Sequence, residues 1–169
     1  MVLVFILFLS HSFCQDSPKS KINEAWIKWK QEQYKKGIYA AGQNCDPNIV
    51  NTKSYKGPEA GIIDTSFYFL DINSDGIQDA LITFRLRLCD GGVALSNCEE
   101  KILVLSKKAR YIVDEKFIKQ IEKKYKGWFL ISGASNGKFY GTYNEGGRTA
   151  EKIRHFNISY KTKTISFAD

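Results

Sequence analysis

The sequence predicts an α+β fold in a single domain: an antiparallel meander sheet of about six or seven strands with two helices on one face. Three observations carry this. Apolar residues recur at helical spacing in two segments, several short runs alternate apolar with polar residues, and turn signals such as Asn136-Gly137 separate neighbouring runs. A chain of 169 residues is long enough to bury a genuine core.

Residues 1–14 open with an apolar, uncharged run, Val2 to Phe13, too short for the ~20 residues a membrane-spanning helix needs. It reads as a secretory signal peptide cleaved before Gln15, with Ser12 and Cys14 as small residues at the cleavage site. Lipidation of Cys14 and an uncleaved anchor stay open. The expected mature chain is one domain, residues 15–169, secreted or periplasmic, with no further membrane span.

The first helix runs from Ile22 to Tyr34, with Ile22, Trp26 and Trp29 on one stripe and lysines on the other faces. A stripe of tryptophans is more often core than ligand platform. From Ala40 to Gly61 there is no period, only Gly, Pro, Asn and Asp, so a long loop is expected. Strands are expected over Ser66–Leu70, Ala80–Leu88 and Lys101–Ser106. Asp114 is a good N-cap for a second helix through Phe117, Ile118, Ile121 and Tyr125. The tail reads as a meander: Trp128–Ile131, the Asn136-Gly137 turn, Phe139–Tyr143, Lys152–Tyr160, a turn over Tyr160–Lys163, and Thr164–Phe167.

The segment with the most chemistry is DINSDGIQD, from Asp71 to Asp79. Asp71, Asn73, Asp75 and Asp79 place oxygen side chains at loop positions one, three, five and nine, and Ile77 can offer its carbonyl at position seven. Gly76 permits the sharp turn at position six. Calcium takes six to eight oxygens, which such alternation can aim inward. Position twelve, where an EF-hand closes its shell with a bidentate Glu, is Ile82. Both flanks read as strands rather than helices. The loop resembles the calcium loops of FG-GAP and VCBS repeats, over about a dozen residues and without a second copy in the chain. The resemblance implies calcium as the cofactor, held by Asp71, Asn73, Asp75, Ile77 and Asp79. The competing expectation is a polar hairpin in which Asn73-Ser74-Asp75-Gly76 supplies turn chemistry and binds nothing.

Three cysteines follow the signal: Cys45, Cys89 and Cys98. Export implies oxidising conditions, and the expected disulfide joins Cys89 to Cys98 around a short loop that includes Asp90. That leaves Cys45 free unless it pairs instead.

The net charge is +7, from 25 Lys and Arg against 18 Asp and Glu. A basic surface suits anionic partners, here an envelope polymer or an acidic protein. The lysines are scattered rather than in a dense run, which favours a solvated face that only keeps the protein soluble, and nucleic acid is not expected. Catalytic signatures such as HExxH or a P-loop are absent from the sequence. After the signal the sole histidine is His155, in a strand, on the side away from Phe156 and Ile158. Glu99 and Glu100 are adjacent, and neighbouring residues of a strand face opposite ways, so they cannot flank one glycosidic bond. Asn157-Ile158-Ser159 matches a glycosylation sequon, which matters only in a eukaryotic secretory route. The expected function is an exported, calcium-stabilised, non-enzymatic binding domain. The alternative is a small secreted hydrolase acting on an anionic polymer.

Overall fold

The fold is known from a computed structural model that describes residues 17–41, 58, 60–89, 99–108, 110–125, 128–145 and 152–168. The first helix, α1, spans Pro18–Lys35 and begins four residues earlier than its apolar stripe. Ser17 caps it by accepting from the Ser20 amide at 3.3 Å, and Pro18 at the first helical position loses nothing by lacking an N–H. Gly37, at φ +67°, ends it in the left-handed conformation as its amide and that of Ile38 bond back to Tyr34 and Gln33.

Four antiparallel strands form the first sheet, in chain order: β1 (Ala60–Leu70), β2 (Asp79–Leu88), β3 (Glu99–Lys107) and β4 (Arg110–Asp114). The β1–β2 hairpin runs in register from Leu70↔Asp79 outward, with one irregularity between Ile63 and Ser66 where Asp64 takes φ +45°. The first strand thus begins inside the segment expected to be loop. Five residues long and on the sheet edge, β4 carries too little alternation to announce itself in the sequence.

A second helix, α2 (Lys116–Tyr125), follows at once. Asp114 caps it as expected, its Oδ1 accepting from the amides of Lys116 at 2.8 Å and Phe117 at 3.1 Å. The second sheet then forms from β5 (Trp128–Ser135), β6 (Lys138–Glu145), β7 (Lys152–Ser159) and β8 (Thr164–Ala168), again antiparallel and in chain order. Asn136 and Gly137 turn β5 into β6 with φ of +49° and +69°, both positive as a tight primed turn demands.

The α+β class stands, but the single sheet of six or seven strands and the two helices on one face do not. There are two four-stranded sheets, and the helices lie on opposite faces of the first. Alternation along β2 explains this: Ala80, Ile82 and Phe84 point toward α1, while Leu81 points the other way. Because β2 is buried on both faces, each face needs its own cover. On one side Trp26 and Trp29 stack at 5.1 Å and tilt against Phe84 at 5.3 and 5.6 Å. On the other side Phe117, Ile118 and Ile121 of α2 join Leu81, Leu103 and Leu105, with Phe129, Phe139 and Phe156 of the second sheet completing the layer. Crossing from the sheet edge onto its face, α2 delivers the next strand above the first sheet rather than beside it.

The helical tryptophans are therefore core. Trp26 is 2% exposed, so Trp26→Ala should cost about 3–5 kcal/mol of stability in urea unfolding. A cost below about 1 kcal/mol would show that α1 is dispensable to the sheet.

Candidate metal centre

Strands flank Asp71–Asp79 on both sides, as the alternation of apolar and polar residues predicts, and the segment closes the β1–β2 hairpin. Asp79 is the first residue of β2 and is fully buried. Its Oδ2 accepts from the amides of Ile72 at 2.9 Å and Asn73 at 3.2 Å, and its Oδ1 from the amide of Ser106 at 2.6 Å. Burial pushes the Asp79 carboxyl above its ordinary range, against the pull of those N–H groups. Asp71 accepts from the amides of Asp75 at 3.1 Å and Gly76 at 2.9 Å. Asp75 is exposed at the tip; its Oδ1 takes the Ile77 amide at 2.9 Å and its Oδ2 the Ser106 hydroxyl at 2.6 Å. The Ser106 bond leads the causes that hold Asp75 below the usual carboxylate range. Gly76, at φ +81°, makes the bend that turns these groups toward one another.

Asn73 does two jobs. Its Oδ1 accepts from the Asp75 amide at 2.9 Å, while its Nδ2 donates to Asp75 Oδ2 at 3.0 Å and to the Ser106 carbonyl at 3.1 Å. As a cation ligand the amide would have to turn its oxygen inward and give up the bonds to Ser106. Ile77 exposes its side chain, so only its backbone is available to the loop interior. Ile82, at the position of an EF-hand's closing Glu, lies in the core against α1 and has no oxygen to give.

Sequence reasoning missed Ser106, which contacts three of the five expected ligands. It lies on β3, and the register Ala80↔Val104 continues to bring it beside the start of β2. No local signal marks a serine 27 residues from Asp79; only the strand pairing reveals it. Tyr111 of β4 adds a second tie, donating to the Gln78 carbonyl at 2.9 Å.

Carboxylate oxygens offer about four lone-pair directions per group, so each aspartate retains acceptor capacity beyond these bonds. Among the described residues no Lys or Arg forms an ion pair with Asp71, Asp75 or Asp79. The negative potential reaches outward: burial first, then Asp79 and Asp75, raise the Tyr111 phenol, and burial, Asp114 and Asp79 raise that of Tyr160. Among the described residues no group of three or more His, Cys, Asp or Glu stands in a preformed metal arrangement. The loop thus brings carboxylate and amide oxygens, the donor type calcium takes, close together without gathering them into a metal-binding group.

Elsewhere, Lys101 is 4% exposed and holds Glu99 and Glu122 together, its Nζ lying 2.9 Å from the Glu99 carbonyl, 3.5 Å from Glu99 Oε1 and 3.2 Å from Glu122 Oε1. Burial raises the Glu99 carboxyl and Lys101 opposes the rise. Glu100 lies on the other face, where after burial it is the next cause lifting the Tyr39 phenol to about 12. His155 is exposed, across from Thr142 and Ala168. Cys89 is buried and disulfide-bonded. Cys98, Cys45, Asp90 and residues 1–14 lie outside the described residues. No helix among the described residues is long and apolar enough to cross a membrane. Comparison with protein families, curated proteins and solved structures found no match to the chain.

Asp79→Asn should destabilise the protein by about 1–3 kcal/mol, because an amide must face either the Ser106 N–H or the Ile72 and Asn73 pair with a donor. Ser106→Ala keeps that amide and loses the hydroxyl's bonds to Asp75 and Asn73, so it should cost about 1 kcal/mol. Urea unfolding reads both; equal costs would show that the buried carboxylate does not organise the loop.

Proposed function

We propose that the chain is an exported, non-enzymatic binding domain whose Asp71–Asp79 loop takes calcium as a structural ion and whose basic surface engages an envelope polymer or a protein. The observation that carries the metal reading is the accumulation of Asp71, Asp75 and buried Asp79 in one turn with no cationic side chain paired to them among the described residues. A divalent ion would offset both the mutual repulsion and the desolvation that lifts Asp79. Without a closing bidentate Glu the affinity belongs in the micromolar to millimolar range of extracellular modules. Export is supported by the disulfide at Cys89, for which Cys98 is the proposed partner. The non-enzymatic reading is supported by buried Lys101, which joins the half-buried Glu99 to Glu122 rather than leaving them as an acid and a base astride a cleft.

Calcium at about 100 times its dissociation constant should add about 2.7 kcal/mol, or roughly 5–10 °C of melting temperature. Asp75→Asn should reduce that increment to near zero, since it removes charge at the exposed tip while the bond to Ile77 can persist. A melting temperature indifferent to millimolar calcium and to chelator would refute the metal reading.

Acid should separate the two forms. With its folded pKa raised, Asp79 binds a proton more readily folded than unfolded, so its contribution to the metal-free protein improves as pH falls through that value toward about 4. Calcium needs the ionised group, so the calcium increment should shrink over the same interval. The two melting curves, with and without calcium, are expected to converge from pH 7 to pH 4; parallel curves would place the ion elsewhere.

A further inference from the structure

The face of the first sheet that carries α2 leaves a groove of about 690 Å³ between that helix and β4. Lys116, Lys119 and Lys123 line one wall, three and four residues apart and so on one side of the helix. All three are exposed, and none makes an ion pair among the described residues. The two acidic residues at the groove are already engaged: Asp114 caps α2, and Glu115 accepts from Trp29 Nε1 at 2.7 Å. The floor is apolar at Ile112, which pairs with Leu105 on the α2 face of the sheet yet remains 42% exposed. Among the described residues the sheet ends beyond Ile112, because β4 is an outer strand with β3 on one side only.

We propose that this groove is a docking site for an acidic, extended segment of a partner protein, added alongside β4. Three features select that occupant. An outer strand presents unpaired main-chain donors and acceptors, which another strand satisfies best. Alternate side chains of an added strand point to opposite faces, so one set can cover Ile112 and extend carboxylates over α2. The three ammonium groups complement anionic side chains and carry no internal partner to displace. An anionic polysaccharide matches the lysines but has no use for Ile112 or for the strand edge. The inference rests on the reading of the chain as a binding domain and does not require calcium.

The probe is a short labelled peptide in which every second residue is in turn valine and glutamate and the residues between are threonine, so that one face carries both, measured by fluorescence anisotropy against the full chain. It should bind, and binding should weaken several-fold between low and physiological salt. Lys116→Glu, Lys119→Glu and Lys123→Glu together should weaken it about tenfold or more, and Ile112→Ala a few-fold. The same peptide N-methylated at alternate residues keeps every side chain but cannot pair with a strand, and it should not bind. Retained binding by the methylated peptide or by the triple variant would overturn the proposal. So would binding of polygalacturonate in preference to the peptide, indifferent to Ile112→Ala. Calcium-dependent melting is recorded on the same samples, so failure of the peptide site and failure of the metal reading are separate results.

Discussion

Three backbone amides converge on the carboxylate of Asp79, and the position of nearly every other element follows from that junction. Ile72 and Asn73 belong to the hairpin loop, whereas Ser106 belongs to the neighbouring strand β3. One side chain thereby fixes both the closure of the β1–β2 hairpin and the docking of its loop on β3. Asp79 also starts β2, so the same residue sets which side chains of that strand face α1 and which face α2. Moving the strand by one residue would exchange those faces and place Leu81 where Phe84 and Ile82 now meet the tryptophans. A buried carboxylate is costly to desolvate, and its three hydrogen bonds are what make this one tolerable.

From that junction the two cores follow. Against α1 the packing is aromatic and tilted, built from Trp26, Trp29, Phe84, Phe67 and Tyr39. Between the sheets it is mixed, with Phe129, Tyr143 and Phe156 of the second sheet against the leucines of the first. A direct tie crosses the sheets where the Tyr68 hydroxyl donates to the Ile131 carbonyl at 3.2 Å. Lys101 and Glu99 lie nearby in the same seam, since the Ile131 amide bonds to the Glu99 carboxylate. Polar groups in such a seam fix the relative placement of two layers that apolar contact alone would let slide.

Local chemistry was legible in the sequence, and long-range placement was not. The Asp114 cap, the Asn136-Gly137 turn, the tryptophan stripe and the strand flanks of the Asp71 loop depend on neighbours within a few residues, and each stands where it was expected. The division into two sheets depends on where α2 deposits the chain, which no period records. Ser106 and the buried Lys101 bridge were likewise invisible, because their partners are distant in sequence and meet only through strand register and helix packing. The strand β4 escaped notice for a different reason. With Arg110 and Ile112 exposed and Tyr111, Val113 and Asp114 half-buried, it lacks the apolar weight of a central strand.

Charge is distributed unevenly, and the arrangement bears on both proposals. The net charge of +7 comes from 25 Lys and Arg against 18 Asp and Glu, whereas the Asp71 loop gathers carboxylates that, after burial, help raise the phenols of Tyr111 on β4 and, with Asp114, of Tyr160 in the β7–β8 turn. Tyr111 is the mechanical link between the two regions. It donates to Gln78 at the end of the loop and sits next to Ile112 on the strand that bounds the groove. The loop and β4 are therefore joined by one hydrogen bond and one strand pairing. An ion that rigidifies the loop would also hold the strand edge in the conformation an added strand requires, by lowering the ordering cost of docking rather than by adding a contact.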